Sequence, residues 1–575
     1  MITMKELEAP VRQWVPDWLG LISIFIVILP VTMLNGSYTG SMLEVSNTLG
    51  TNSEDITMGY YAASAGMAIA YPIIPKVLAA FSVKSLLLID LVLQFFLSWV
   101  CARTQNADIL IVCSFAVGFL KGFLMLWFIR YAQKIFSPKN VRSEFYSYFY
   151  PLVYGGGQAS MLVTALLAYH YNWKYMYYFM MVLILISILF VIICFRHNRP
   201  IKAVAWSDLH IREMFVISAG LLMLMYVINY GKVLDWMASG KICIYIVIAP
   251  MLIALFIWYQ SRLENPYVSL APLFQPKAIV GYFYMMLVMF FSTSTTLLTN
   301  YLTVILKVDT THTYSLYIYL LPGYVVGAFI CFWWFRWQRW RFRFLIAGGM
   351  SCFVIFFAIL YFGISPDSTY EMLYLPIFFR GLGMLTLIIA FALFAVEDLN
   401  PKYLLSNAFF LIIFRSVLAP IMATSFYSNV LYRLQQKYMY SLSETITATD
   451  PLSSTRYSQS LNNAMTQGHP YDEAAQLATN SLYNTLQQQS LLLALKEILG
   501  YLLVISVVIA VISRFIPFHK TIRVTFKKTA TRVAITTGDL PKMVVTQSGK
   551  EAKEAEACET PIPRAAARPT MEVLR

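Results

Sequence analysis

The sequence predicts an all-α polytopic membrane protein that crosses the bilayer about fourteen times, and three observations carry this reading. Of 575 residues, 59% are hydrophobic and only 13% charged, with a mean hydropathy of +0.63; soluble domains carry about twice that share of charge. The apolar residues are gathered in runs of about 18 to 28, and a helix rising 1.5 Å per residue needs about 20 to cross a hydrocarbon core of about 30 Å. Lysines and arginines collect in alternate loops, as they do when helices weave back and forth across a membrane.

In chain order, spans are expected near 17–38, 56–80, 84–103, 108–130, 145–168, 173–196, 211–231, 241–260, 278–304, 313–335, 343–364, 371–397, 403–429 and 490–516. The first run, Trp18 to Tyr38, is too long for a secretory signal and lacks a small-residue cleavage site, so it is expected to remain as an anchor. With the N-terminus inside, the short inner loops hold Lys76, Lys84, Arg130, Lys134, Lys139, Arg142, Arg196, Arg199, Lys202, Arg212, Arg262, Lys277, Arg336, Arg339, Arg341 and Arg343. The short outer loops hold only Arg103, Lys174, Lys232, Lys241 and Lys307. This asymmetry places both termini in the cytoplasm and agrees with an even count.

The net charge of +14 has a second source in Lys520, Arg523, Lys527, Lys528 and Arg532, which follow the last span and would lie against anionic headgroups. No nucleic-acid partner is implied. From Gly549 onward the chain is Ala-, Glu- and Pro-rich, a composition of disorder. The seven cysteines are scattered without C-x-x-C spacing, so neither a disulfide framework nor a metal site is expected, and no cofactor is implied. The outer segment from Tyr432 to Gln489 is much longer than its counterparts. Its stretch from Tyr471 to Gln488 has apolar residues at helical spacing, which predicts helix there. A structured outer projection points to a partner or a lid.

Four stretches carry a family resemblance. Arg262-Leu-Glu264-Asn-Pro266 leads through Leu273-Phe274 to Tyr282-Phe283; Asn172-Trp173 opens the sixth span; Arg380-Gly381-Leu-Gly383 lies on the twelfth; and Leu399-Asn-Pro401-Lys is followed fourteen residues after Pro401 by Arg415. In order and spacing these resemble the fourteen-helix drug:proton antiporters of the EmrB/QacA type, within the major facilitator superfamily. The resemblance implies a 6+2+6 arrangement: residues 1–200 as a six-helix bundle, 201–277 as two extra helices with an inner linker, 278–516 as a second bundle with a long periplasmic loop at 431–489, and 517–575 as a basic, partly disordered cytoplasmic tail. The long outer loop and Lys496-Glu497 resemble the Gram-negative branch. That branch implies an inner membrane location, protons as coupling ion, and delivery to a periplasmic adaptor and an outer-membrane channel. Several family motifs are eroded. The loop after the second span reads Pro75-Lys-Val-Leu-Ala-Ala80-Phe-Ser-Val-Lys84 without an acid, the fourth-span arginine and glutamine appear as Ser114 and Val117, and the first-span aspartate falls at Leu34, beside Asn35.

Charges inside spans are costly unless paired or hydrated, so each is a functional candidate. Asp90 on the third span and Lys121 on the fourth lie at similar depths, which predicts an ion pair, either static or coupling-related. Arg380 lies near mid-membrane and would face a central cavity, holding either an anionic substrate or an internal carboxylate. Arg415 either contacts substrate or bonds to helix ends. Glu497, near the outer end of the last span, is either a coupling acid or solvated at headgroup level. Ser292, Thr296 and Asn300 would face a wet cavity, or return bonds to their own helix. Gly118 with Gly122, Gly155-Gly156-Gly157, and Gly381 with Gly383 suit close or bending helix contacts, in rocking bundles or in static packing. Tyr38, Tyr60, Tyr61, Tyr154, Phe290, Phe291 and Tyr324 would line an apolar cavity or face lipid.

Together these readings predict an ion-driven exporter of hydrophobic or amphipathic small molecules, not an enzyme. A transport-dead scaffold or sensor, an importer, and a lipid-acting enzyme are the alternatives; the enzyme is disfavoured because the six histidines lie at loops and edges without H-x-x-H spacing.

Overall fold

The computed structural model describes residues 11–37, 42–137, 141–197, 209–337, 342–397, 399–447, 449–516 and 518. The first half of the chain forms α1 (Asp17–Ser37), the short α2 (Met42–Leu49), α3 (Ser53–Ala70), α4 (Ile74–Ala80), α5 (Val83–Arg103), α6 (Ala107–Phe136), α7 (Arg142–His170) and α8 (Lys174–Cys194). Two further helices follow, α9 (Ile211–Tyr230) and α10 (Gly240–Arg262). The second half contains α11 (Pro276–Thr293), α12 (Thr295–Asn300), α13 (Thr310–Ser315), α14 (Leu320–Arg336), α15 (Phe342–Gly363), α16 (Tyr374–Val396), α17 (Leu404–Ile412), α18 (Ala419–Ser443), α19 (Pro451–Thr466) and α20 (Tyr471–Phe515). Among the described residues there is no strand, only an isolated bridge between Val11 and Phe195.

Local chemistry sets the boundaries. The Ser85 amide donates to the Ser82 hydroxyl at the start of α5, and the Asp108 amide to the Asn106 side chain at the start of α6, so each helix begins on a capping residue. Between α3 and α4 the chain bends by 63°. Pro72 lies in the break and Pro75 in the first turn of α4, where a missing amide hydrogen is tolerated.

The two halves are built on the same small-residue device. In the first, a Cβ on Gly118 of α6 would lie 1.9 Å from the Ala63 carbonyl oxygen of α3, and one on Gly66 would lie 2.2 Å from that of Phe115. In the second, a Cβ on Gly323 of α14 would lie 2.4 Å from the Phe378 oxygen, and one on Gly381 of α16 would lie 2.8 Å from that of Leu320. Backbones meet directly at these crossings, which dispersion favours in a lipid solvent where burial alone does not. Gly122 and Gly383 sit in equally tight contacts, against Ala70 and the Gly349 carbonyl.

Helix α9 packs on both halves, its Met225 and Tyr230 clustering with Met58 and Tyr61 of α3 and with Ile421 of α18. Helix α10 lies outside it and exposes Ile244, Val247, Met251 and Trp258, as a lipid-facing helix does.

Among the described residues, twelve helices are long and apolar enough to span a membrane, or thirteen if α3 and α4 form one bent span, which supports a many-span membrane protein without confirming a count of fourteen. Every expected run coincides with helix, but the described apolar part of α1, Asp17–Thr32, is shorter than a span. The outer segment at 431–489, where helix is expected over 471–488, consists of the end of α18, all of α19 and the start of α20, and α20 runs without a break for 45 residues, about 68 Å, into the last span. The basic tail after Phe518 lies outside the described residues, as do Tyr38, Lys139, Arg199, Lys202, Arg339 and Arg341.

Candidate substrate site between the two halves

Helix α7 of the first half lies against α14 and α16 of the second. Tyr146, Tyr150 and Tyr154 recur every four residues and therefore share one face of α7. Their ring centroids are 5.4 Å and then 6.3 Å apart. The series crosses the boundary between halves, since Tyr154 lies 6.1 Å from Tyr324 of α14.

One guanidinium stands near Tyr324 at one end of this tyrosine series, and a second lies over Tyr150 within it. Arg380 on α16 is 8% exposed, donating from Nε to the Ser292 carbonyl at 3.1 Å and from Nη2 to the Ser292 hydroxyl at 3.3 Å. That hydroxyl donates in turn to Met384 Sδ at 3.0 Å, which Tyr324 also approaches at 3.7 Å. Arg380 Nη1 is buried without an acceptor among the described residues. Leaving a charged buried donor unmatched costs about 1–3 kcal/mol or more, so the site is poised to accept one.

Arg415 occupies a π-helical turn, Ile413–Leu418, between α17 and α18. Such single wide turns recur at functional positions because they displace a side chain from the regular helical register. Its guanidinium lies over the Tyr150 ring at 5.8 Å and donates from Nε to the Ser416 hydroxyl at 3.3 Å, while Nη1 is again buried without an acceptor. Tyr71 and Tyr154 are within electrostatic reach. Among the described residues neither arginine pairs with a carboxylate, so the internal-carboxylate alternative for Arg380 finds no support there.

The other candidates separate into groups. Ser292 is brought to Arg380, whereas Thr296 returns its hydroxyl to the Thr293 carbonyl at 3.1 Å and Asn300 ends α12 half-buried. Asn35 lies on α1, but its side chain is outside the described residues. Asp90 and Lys121 are both buried, yet the expected pair does not form: Asp90 Oδ1 accepts from Gln94 at 3.4 Å, and its Oδ2 has no donor among the described residues. Glu497 accepts from Tyr438 at 2.7 Å and Tyr501 at 3.1 Å, which ties α20 to α18, away from the arginines. Gly155, Gly156 and Gly157 are half-buried and less tightly packed than the crossing glycines. A Cβ on each would meet Leu321 at 3.7 Å, the Thr32 hydroxyl at 3.0 Å and the Thr32 carbonyl at 4.0 Å, respectively.

Two halves built on the same helix crossings, with polar groups gathered where they meet, are the architecture of a rocking transporter, and residues 21–424 match the Major Facilitator Superfamily. The chain belongs to this superfamily. Its fold is that of a multi-pass membrane transporter. Among solved structures, a mutant peptide transporter POT in complex with alafosfalin is similar with a TM-score of 0.51 at 14% identity, over 75% of this chain and 92% of that one. A structure of a proton dependent oligopeptide transporter is similar with a TM-score of 0.50 at 14% identity, over 89% and 99%. A mutant nucleoside transporter NupG has a TM-score of 0.46 at 13% identity, over 72% and 92%. Identities this low speak for shared fold alone. No curated protein matches the sequence. For this superfamily member, the tyrosine series was legible only in part. Tyr154 and Tyr324 stand out as aromatics, but Tyr146 and Tyr150 complete the face, and the four-residue spacing on α7 is the signal that finds them.

Proposed function

We propose that the protein is a secondary active exporter of amphipathic small molecules, working by alternating access with the substrate held between α7, α11, α14 and α16. The observation that carries this reading is the buried guanidinium of Arg380, with a bare Nη1, at the contact between two halves of a transporter fold. A hydrogen-bonding anchor beside polarisable side chains (Tyr324, Met384 and the α7 tyrosines) suits a molecule with one polar group on an apolar body.

Outward direction, proton coupling, an inner-membrane location with both termini cytoplasmic, and delivery to a periplasmic adaptor and outer-membrane channel rest on the resemblance to the EmrB/QacA type and on the helical outer projection. Asp90 is the proposed coupling acid. It is buried in the first half and is not neutralised by any cation in a described pair. An importer on the same fold would use the same site.

The test is flux in oriented vesicles from cells making the full chain. Accumulation of a fluorescent amphiphile in everted vesicles on energisation, lost in Arg380→Gln, is the expected result. Accumulation only in right-side-out vesicles would reverse the direction, and no flux of any amphiphile in either orientation would refute transport.

A further inference from the structure

We propose that the cargo is an aromatic anion: a carboxylate-type group engages Arg380 Nη1, and the ring system lies against the tyrosines that lead from Tyr324 to Tyr150, with Arg415 as a second cationic post at the far end. The inference rests on the transporter reading and narrows its substrate class.

The charge inventory of the site comes first. Both guanidiniums present a buried Nη1 with no acceptor among the described residues, and their other contacts are neutral: a carbonyl, serine hydroxyls and a tyrosine ring. Of the acids deep in the apolar helices, Asp90 bonds to Gln94 on its own helix and Glu497 to Tyr438 and Tyr501. Glu44, on the short α2, is in electrostatic reach of Tyr314 and not bonded to either arginine. The stretch 33–41 of α1 and its end contains no Asp or Glu. Among the described residues, the two guanidiniums at the interface are thus bonded to no carboxylate. A cationic cargo would add like charge in a medium of low dielectric, a neutral acceptor would bond to the donors but leave both charges unmatched, and an anion meets both needs.

The shape of the cargo follows from the surfaces between the two charges. The rings of Tyr150, Tyr154 and Tyr324 follow one another at 6.3 Å and 6.1 Å, within the range of aromatic pair contacts, and Met384 adds a polarisable sulfur beside Arg380. On α7, a Cβ on Gly155 or Gly157 would meet its neighbours at the ordinary contact distances of 3.7 Å and 4.0 Å, and one on Gly156 at 3.0 Å, so this stretch is less closely packed than the backbone crossings elsewhere. Against these ring faces a flat aromatic group makes better contact than a branched aliphatic one of equal volume.

The experiment uses purified full-length protein and three matched probe sets, each an aryl carboxylate with its neutral amide and its primary amine: benzoic, 2-naphthoic and 1-pyrenebutyric skeletons. Binding is read by thermal stabilisation and by probe fluorescence. At least one carboxylate is expected to bind about tenfold or more tightly than its amide and amine. Arg380→Gln is expected to lose that preference and Arg380→Lys to retain part of it, while Arg415→Gln weakens binding more for the longest probe than for benzoate. Amines or amides binding as tightly as the acids, no acid binding at all, or an unchanged preference in a well-folded Arg380→Gln would each overturn the proposal. Vesicle flux separates the two readings. An anion that binds but never crosses defeats transport and leaves the anion site standing, whereas flux of the amine in preference to the acid defeats the anion and leaves transport standing.

Discussion

Tyr61 on α3 and Thr424 on α18 share a hydrogen bond of 2.9 Å across the boundary between the halves, although 363 residues separate them in sequence. Nearby, the end of α9 and the turn beyond it reach both sides. Asn229 donates to the Glu54 carbonyl at 2.7 Å, Tyr230 donates to Asp55, and Lys232 donates to the Ser428 hydroxyl at 3.1 Å. The inner linker repeats the pattern, with Tyr267 donating to the Ile69 carbonyl and the Ser269 amide to the Ser406 hydroxyl at 3.0 Å. The extra helix pair therefore straps the two halves on the α3/α17/α18 side at both ends. A neutral bond of this kind contributes about 0.5–1.5 kcal/mol. Tyr61→Phe and Thr424→Val should each lower the thermal midpoint, and the double variant should cost little more than either single one. Additive losses would show that the two side chains do not act together.

Gly118 and Gly157 are expected to behave oppositely. Alanine at 118 drives a methyl into the backbone of Ala63, where no side chain can swing away, and should destabilise by about 3 kcal/mol or more. Alanine at 157 meets only a carbonyl at 4.0 Å and should leave the midpoint nearly unchanged. Fluorescence-detected size exclusion after graded heating measures both. A stable Gly118→Ala protein would mean that α3 and α6 are not in backbone contact.

The helices were legible because spanning a bilayer imposes a length that few other structures need, and every apolar run became helix. Sequence depth was less informative about partners. Asp90 and Lys121 lie at similar heights on α5 and α6, but height along an axis does not fix the direction in which a side chain leaves it, and Asp90 bonds to Gln94 one turn away on its own helix. The breaks were invisible for a related reason. The interruption at Ser294 falls in a Ser/Thr run whose hydroxyls bond back to the helix, and the π-helical turns at Tyr301–Ile305 and Ile413–Leu418 carry β-branched residues, but such residues are common in intact spans and do not by themselves mark a break. Arg380 was visible as a charge in an apolar run, whereas its use of Ser292 as a partner required the fold.

Asp450 caps α19 in the outer projection, its Oδ2 accepting from the Ser453 amide at 2.9 Å and from the hydroxyl at 2.5 Å. These bonds favour the carboxylate and hold Asp450 below the usual carboxyl range, the serine hydroxyl contributing most. A folded-state pKa below the unfolded one adds stability that is present above the ordinary value, about 3.9, and is lost as pH falls through the lower one. Amide exchange of residues 452–456, corrected for intrinsic rates, should therefore be flat from neutral pH to about pH 4 and quicken below it. Asp450→Asn should remove that step, and a step that persists in the variant would assign it to another group.

Asp90 offers the sharpest test of how transport is driven. Its Oδ2 and the Oε1 of Gln94 are both buried without a donor among the described residues, so the pair has acceptors to spare. In a low-dielectric interior such acceptors are satisfied by an added proton or by a donor that arrives when the halves move. If Asp90 is the coupling group, Asp90→Asn should fold as well as the parent and bind the aryl carboxylates unchanged, because it lies on α5, away from the arginines. It should nevertheless abolish accumulation driven by a pH gradient while exchange of labelled for unlabelled probe continues, since exchange needs alternating access but no net proton movement. Parallel measurement of gradient-driven uptake and exchange in the same proteoliposomes decides the matter. Loss of both would mean that the substitution blocks the conformational cycle, and retention of both would remove Asp90 from coupling altogether.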